Sequence, residues 1–347
     1  MIIKFTIMRK LFLTMFAALA LLGCDKEHTP NVPAEPSAIG FGNVTTRAVD
    51  SVNDIRALGE FEVNACVLGP EGYVSLLENE PVKYENGIWN YDNTRYWAND
   101  SHFYFLGFVT DSTDPDIKGF DTIIDYSYGI PYVNYAIDVE TDNGDDDLLM
   151  AFTHVDTRKE AFKNANPKPA VLMQFGHMLS KINIKIKQDF DKDPNNDYLV
   201  YKVSLINVVD KSKLTIYPIV EDEVSYQYQW TTSSKKEFAR VFDTPVNLRE
   251  LGANNAKTIW DESGLMLIPQ QPNTIKVQIT YGFRYANSTD EPTIKILEGN
   301  LPASNQWIAG KSISYMLAIS EIHGIKFSAP TIEPWGAPQN SGTIIIK

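Results

Sequence analysis

From Phe61 onward the chain is a succession of short runs in which apolar and polar residues alternate, and the alternation sharpens in the second half. Lys181-Ile182-Asn183-Ile184-Lys185-Ile186-Lys187 alternates strictly, as do Tyr201-Lys202-Val203-Ser204-Leu205 and Tyr226-Gln227-Tyr228-Gln229-Trp230. Ile275, Val277, Ile279 and Tyr281, continuing through Phe283 and Tyr285, put six apolar residues on one face. Ile313, Tyr315, Leu317 and Ile319 repeat the pattern. A period of two sends successive side chains to opposite faces, so each run predicts a strand with one buried and one wet face.

The first half is less regular. Residues 61–68 and 102–108 are nearly unbroken apolar runs, and 147–152 is the last strand expected before the midpoint. Between Val82-Lys83-Tyr84 and Ile88-Trp89-Asn90 lies Glu85-Asn86-Gly87, and an Asn-Gly pair between such runs predicts a tight hairpin. Residues 111–121 read as an acidic loop and 154–165 have room for one short helix; no long helix is expected. Asn166-Pro167-Lys168-Pro169 punctuates the chain, and Val171 to Phe175 opens the second half as an apolar strand. With no βαβ rhythm, the expectation is all-β: two tandem antiparallel β-sandwich domains, 38–169 and 170–347.

Composition agrees with this. Seventeen Tyr, seventeen Phe and six Trp favour sheet, and 44% apolar with 22% charged residues can bury a core. A net charge of −13 argues against nucleic acid and against electrostatic adsorption to anionic lipid. There are two cysteines, Cys24 and Cys66; the second sits in an apolar run and reads as a core thiol, which leaves no disulfide.

The first fifty residues follow different rules. Arg9-Lys10, an apolar run from Leu11 to Leu22, and Gly23 describe a secretory signal peptide, 1–23. The run is shorter than the roughly 20 apolar residues that span a bilayer. Leu21-Leu22-Gly23-Cys24 resembles the lipobox of bacterial lipoproteins. That resemblance implies cleavage before Cys24, acyl chains on Cys24, and anchorage in outer-membrane lipid. Residues 24–37, polar and with three prolines after the cysteine, read as a tether or pro-segment. Ala38-Ile39-Gly40-Phe41-Gly42 is the first apolar alternation, followed by Asn43-Val44-Thr45-Thr46-Arg47-Ala48.

The chain carries little recognisable chemistry. Its five histidines, at 28, 102, 154, 177 and 323, match no zinc spacing, and there is no G-x-S-x-G elbow. Ala309-Gly310-Lys311-Ser312 lacks the leading glycine of a phosphate loop, Asn305 standing in its place, and precedes a strand pattern. His177, at a turn between two apolar strands, reads as a hydrogen-bonded structural histidine. The acidic stretches 142–147 and 189–197 invite a calcium test. In the second, however, Pro194 occupies the invariant glycine position and Val200 the bidentate glutamate position, so solvated hairpin loops are expected. No catalytic residue, metal ligand or cofactor site is predicted, and the chain reads as non-enzymatic.

A lipobox, a proline-bearing tether, an Ile39-x-Phe41 strand, a Thr45-Thr46-Arg47-Ala48 step and then two β domains together resemble the fimbrillin family of gut and oral anaerobes. Further matches are Phe175-Gly176-His177-Met178-Leu179-Ser180-Lys181-Ile182, Leu267-Ile268-Pro269-Gln270, Trp307-Ile308-Ala309-Gly310-Lys311 with Tyr315-Met316-Leu317, and Pro334-Trp335. The resemblance implies two Greek-key, transthyretin-like domains that polymerise with other fimbrial subunits into surface fimbriae used in adhesion. It implies that an arginine-specific surface protease cuts between Arg47 and Ala48. The strand of Ile39 and Phe41 then leaves a groove, which a neighbour's strand fills. The donor would be Ile344-Ile345-Ile346 at the C-terminal end, or that tail is a resident edge strand of the second domain. Arg47 is alternatively readable as a surface loop residue. The alternative function is a non-polymerising, lipid-anchored surface protein or tip adhesin that binds a glycan or host protein.

Overall fold

The computed structural model describes residues 36–46, 59–70, 72–110, 117–125, 132–144, 147–220, 224–261, 263–303, 306–335 and 341–346. Strands β1 (Phe41–Thr46), β2 (Glu60–Gly69), β3 (Gly72–Glu85), β4 (Ile88–Asn90) and β5 (His102–Thr110) begin a barrel. Strands β6 (Ile117–Asp125) and β7 (Tyr132–Glu140) leave it, and β8 (Leu148–Asp156) and β9 (Val171–His177) return. The barrel closes in the order β1-β4-β3-β2-β5-β8-β9.

The remaining strands form a sandwich. β10 (Ser180–Gln188) is followed by a long hairpin, β11 (Asn196–Val220) and β12 (Val224–Asn247). Then come β13 (Lys257–Thr258), β14 (Leu265–Leu267), β15 (Lys276–Tyr285) and β16 (Thr293–Asn300). The last are β17 (Lys311–Ser320), β18 (Gly324–Phe327), β19 (Thr331–Pro334) and β20 (Ser341–Ile346). One sheet runs β13-β10-β17-β18, with β14 on β10 and β19 on β17. The other runs β16-β15-β11-β12-β20, with β7 on β11 and β6 on β7.

Three cores explain why the patterns differ along the chain. Between the two sandwich sheets, Ile182, Ile184 and Ile186 meet Val203, Leu205, Val277, Ile279, Ile313, Tyr315 and Leu317, all fully buried. Here each strand buries one face, and the sequence alternates. Inside the barrel, Phe61, Val63 and Ala65 pack with Phe103, Phe105, Leu149, Met173 and Phe175. The opposite faces of the same strands, Cys66, Tyr104, Leu106, Phe108 and Met150, pack on Ile137, Leu214, Ile216, Tyr228 and Trp230 from β7 and the far end of the hairpin. A sheet covered on both sides has no wet face, which is why residues 61–68 and 102–108 do not alternate. Burial pushes the Cys66 thiol up to about 12, so it is an inert filler of this layer. Gly107 leaves room for Met173 and Phe175 in the barrel, where a Cβ would lie 2.5 Å from Met173 Cε and 2.9 Å from Phe175 Cζ.

The hairpin serves both halves because it bends. Its ladder shifts register between Leu205 and Val208 and again between Val209 and Lys211, as β-bulges do, and Asn207 takes φ 73°. Gln270 satisfies this bend: its Oε1 accepts from Val209 N at 2.9 Å, and its Nε2 donates to Ile268 O at 2.9 Å. That gives Leu267-Ile268-Pro269-Gln270 a structural reason.

The all-β sandwich class expected from the sequence is what the chain adopts. The Asn86-Gly87 hairpin joins β3 to β4 with φ 55° and 87°, as a primed turn requires. The only helix in 154–165 is the single turn Glu160–Lys163. Three features differ from the expectation. The sheets are antiparallel except for β1 on β9, β10 on β17 and β12 on β20. The first half curls into a barrel closed by β9, and β6 and β7 join the second sheet. Residues 117–121, expected in an acidic loop, belong to β6, where the ladder to Ile137 and Val139 outweighs their flanking charges.

Candidate assembly site

The segment from Ser37 to Thr46 closes the barrel. Ile39 N donates to Arg95 O at 2.7 Å, Trp97 N to Ser37 O at 3.0 Å, and Val171 N to Gly40 O at 2.7 Å. Tyr91 OH donates to Ile39 O at 2.8 Å. Against β9 the pairing is parallel, Phe41 with Val171 through Thr46 with Phe175; against β4 it is one antiparallel pair, Phe41 with Trp89. Gly42 allows the close approach, since a Cβ would stand 2.9 Å from Ala170 Cβ.

Three side chains of this segment are buried in the barrel: Ile39, Phe41 and Val44 are 2%, 6% and 0% exposed. The Phe41 ring meets Phe61, Tyr91 and Phe105 edge-on, with centroids 5.7, 5.6 and 6.1 Å away. At about 2 kcal/mol per buried side chain, these three contribute about 6 kcal/mol, comparable with the whole stability of a domain. Taking β1 away would uncover a groove floored by Phe61, Trp89, Phe105, Met173 and Phe175 and walled by the unpaired edge of β9. β9 takes its ladder partner from β1 between Val171 and Phe175 and from β8 at Gly176 and His177, and Thr153 Oγ1 of β8 also donates to Leu172 O at 2.5 Å.

The expected site residues therefore fall in separate places. Ile39 and Phe41 share one groove, joined by Val44 and Tyr91, which no local pattern in the sequence marks. Ile344, Ile345 and Ile346 lie in β20, whose backbone pairs in parallel with Tyr228, Gln229 and Trp230 of β12 at the end of the other sheet. The resident edge strand is thus the arrangement within the chain itself. Cys24, Arg47 and Ala48 lie outside the described residues.

The remaining candidates are structural. Asp193 accepts hydrogen bonds from Asn196 Nδ2 and Tyr198 OH, and Asp197 faces Arg284 at 3.3 Å and Arg249 at 3.9 Å. Asp193 and Asp197, two of the carboxylates in the second acidic stretch, thus already have protein partners. Among the described residues no three His, Cys, Asp or Glu side chains are grouped as metal ligands. His177 Nδ1 is hydrogen-bonded to Asp147 Oδ2 at 2.5 Å, and its ring stacks on Trp335 at 3.7 Å.

A second histidine pair gives a pH prediction. His102 Nδ1 and His154 Nε2 share a hydrogen bond of 2.9 Å beside Tyr104. Burial pushes both imidazoles down, His154 from 6.5 to about 4, with His102 adding to the effect on His154. The unfolded chain therefore binds the extra proton first. Stability is fully present above about pH 6.5 and falls as pH drops toward 4. The loss is at most about 3 kcal/mol, and less because His154 is only half-buried. Urea unfolding at several pH values should show this slope, and His154→Phe should flatten it.

Comparison with known proteins accords with this architecture. The model of the family described as fimbrillin-like matches residues 46–335. Among solved structures, a fimbrial protein from Bacteroides vulgatus superposes with a TM-score of 0.58 at 16% identity, covering 86% of this chain and 99% of its own. A candidate cell adhesion protein from Bacteroides uniformis is 19% identical, covering 86% and 99%, with a TM-score of 0.44. The fimbrial anchor protein Mfa2 from Porphyromonas gingivalis is 10% identical, covering 87% and 98%, with a TM-score of 0.35. No curated protein matches the chain. On the family match, which covers most of its length, the chain belongs to the fimbrillin-like family.

Proposed function

We propose that the chain is a subunit of cell-surface fimbriae, delivered to the outer membrane as a lipoprotein through Cys24 and activated by an arginine-specific protease that cuts between Arg47 and Ala48. Loss of β1 opens the barrel groove, and a strand from another fimbrial subunit fills it. The observation that carries this reading is the position of β1. It is short, lies N-terminal to the rest of the fold, closes the barrel between β9 and β4, and ends at Thr46, directly before Arg47. The opened groove would expose ladder donors and acceptors together with an apolar floor, and an added strand satisfies both. Arg47→Ala is the test: cells carrying it should lose SDS-resistant ladders of the protein, and ladders that persist would remove cleavage from the mechanism.

The pairing of β20 with β12 in its own chain favours a second reading, a self-contained surface lipoprotein or tip adhesin that meets a glycan or host protein without polymerising. A lipidated, uncut N-terminus on the surface-exposed protein would support it.

A further inference from the structure

In a chain of net charge −13, one sheet face of the sandwich is basic. We infer that this face, the outer side of β10, β17 and β18, is a binding surface for an extended anionic polysaccharide that carries sulfate or carboxylate groups along its length. Lys185, Lys187 and Lys326 hold it. The inference gives a chemistry to the glycan of the adhesin reading, and its biological use rests on that reading.

The alternation that buries Ile182, Ile184 and Ile186 sends Lys181, Asn183, Lys185 and Lys187 to the other side of β10. β17 runs parallel beside it, pairing Lys185 with Met316 and Lys187 with Ala318, and β18 continues the second row by pairing Ala318 with Lys326. Partners across a ladder share a face, so the three lysines surround Met316 and Ala318. Lys326 is exposed and the other four are part-exposed, whereas Tyr315 and Leu317, which alternate with Met316 and Ala318, are fully buried. Lys185 and Lys187 stand roughly 7 Å apart along the strand, and Lys326 lies two strands, roughly 10 Å, from Lys187. Lys181, at the other end of β10, is turned to the Trp335 ring, its Nζ 5.9 Å from the centroid.

The charge here is not neutralised from within. Among the strand positions that share this face the one carboxylate is Glu333, beside Ser312 at the far end. Among the described residues Lys185, Lys187 and Lys326 form no ion pair, either with Glu333 or with Asp189 just past β10. Lysines elsewhere do: Lys202 with Glu237 at 2.7 Å, Lys211 with Glu140 at 2.5 Å and Lys295 with Glu321 at 2.6 Å. The kind of anion follows from what else the face offers. Met316 is the one large apolar side chain between the lysines, whereas protein interfaces are anchored by aromatic residues and Arg and are depleted in Lys. A planar anionic membrane, or a globular acidic partner, would bring its charge up to the rest of this acidic molecule as well. A thread-like polyanion can lie along the lysines alone, and the charge beyond a Debye length of about 8 Å is screened from it.

Binding of the full chain to immobilised heparin, with neutral dextran as the control surface, tests this. The parent should bind heparin at low ionic strength, release it as salt rises, and ignore dextran. Lys185→Thr, Lys187→Thr and Lys326→Thr together should weaken binding roughly tenfold or more. Lys83→Thr, Lys163→Thr and Lys276→Thr remove the same charge from exposed ion pairs elsewhere and should leave binding near the parent level. Urea unfolding checks that both triple variants are folded. No binding by the parent, or equal losses in the two triple variants, would overturn the assignment. Binding to phosphatidylglycerol vesicles without binding to heparin would give the face to lipid and overturn it too. SDS-resistant ladders in cells would count against the non-polymerising reading and leave heparin binding by this face unaffected. Loss of heparin binding, conversely, leaves that reading with a different ligand.

Discussion

Replacing Phe41 with alanine in the uncut chain should lower the unfolding free energy by about 3–5 kcal/mol, the range for deleting a buried phenylalanine. Phe41 is 6% exposed and packs edge-on against three rings, and β1 has no side chain of comparable size to close the gap it would leave. Aromatic pairing beyond simple burial adds roughly 0.5–1.5 kcal/mol for each good pair. The cavity would open onto Phe61 and Phe105, which are fixed in the central barrel strands and cannot collapse toward it. Urea unfolding should report a lower midpoint. A change under about 1 kcal/mol, the size of an ordinary surface substitution, would mean that β1 does not seal the barrel.

Ile344→Asp combined with Ile346→Asp should abolish SDS-resistant ladders if β20 is the donor. A strand that must fill an apolar groove cannot carry charge into it without large desolvation cost, because a buried unpaired carboxylate is among the most expensive groups to place. The same change in a resident edge strand is milder, because edge strands tolerate charge and are blunted by it. Export and cleavage at Arg47 should be unaffected, so the protein should accumulate as processed monomer. Intact ladders from the double variant would assign β20 permanently to β12 and send the search for the donor elsewhere.

Much of this architecture is legible in the chain because it depends on local period. β10, β15 and β17 bury one face each, so Ile182, Ile184 and Ile186, or Ile313, Tyr315 and Leu317, declare themselves by alternation. Even there the pattern overreaches: Tyr285 continues the β15 stripe yet is 73% exposed, because the strand runs past the end of the sandwich. What the pattern does not carry is pairing between distant segments. Closure of the barrel by β1 on β9, the capture of β7 by β11, and the bend at Asn207 are choices among ladders that any half-buried strand could make. The double burial of β5 is the clearest case, since an unbroken apolar run shows that both faces are covered without saying by what.

The groove is legible in part for the same reason. Ile39 and Phe41 alternate and can be read as core residues of a first strand, whereas Val44 lies beyond a register shift at Gly42 that breaks the period. The hydrogen bond from Tyr91 to Ile39 O and the stack of His177 on Trp335 join residues with no shared local signature. His177 does look structural from its place at a turn, and its partners Asp147 and Trp335 make it so.

The proposal turns on whether β1 is removed from the protein that cells display. N-terminal sequencing of the polymerised surface protein should give Ala48 as the first residue; a chain that begins at an acylated Cys24, still carrying Ile39 and Phe41, would contradict it.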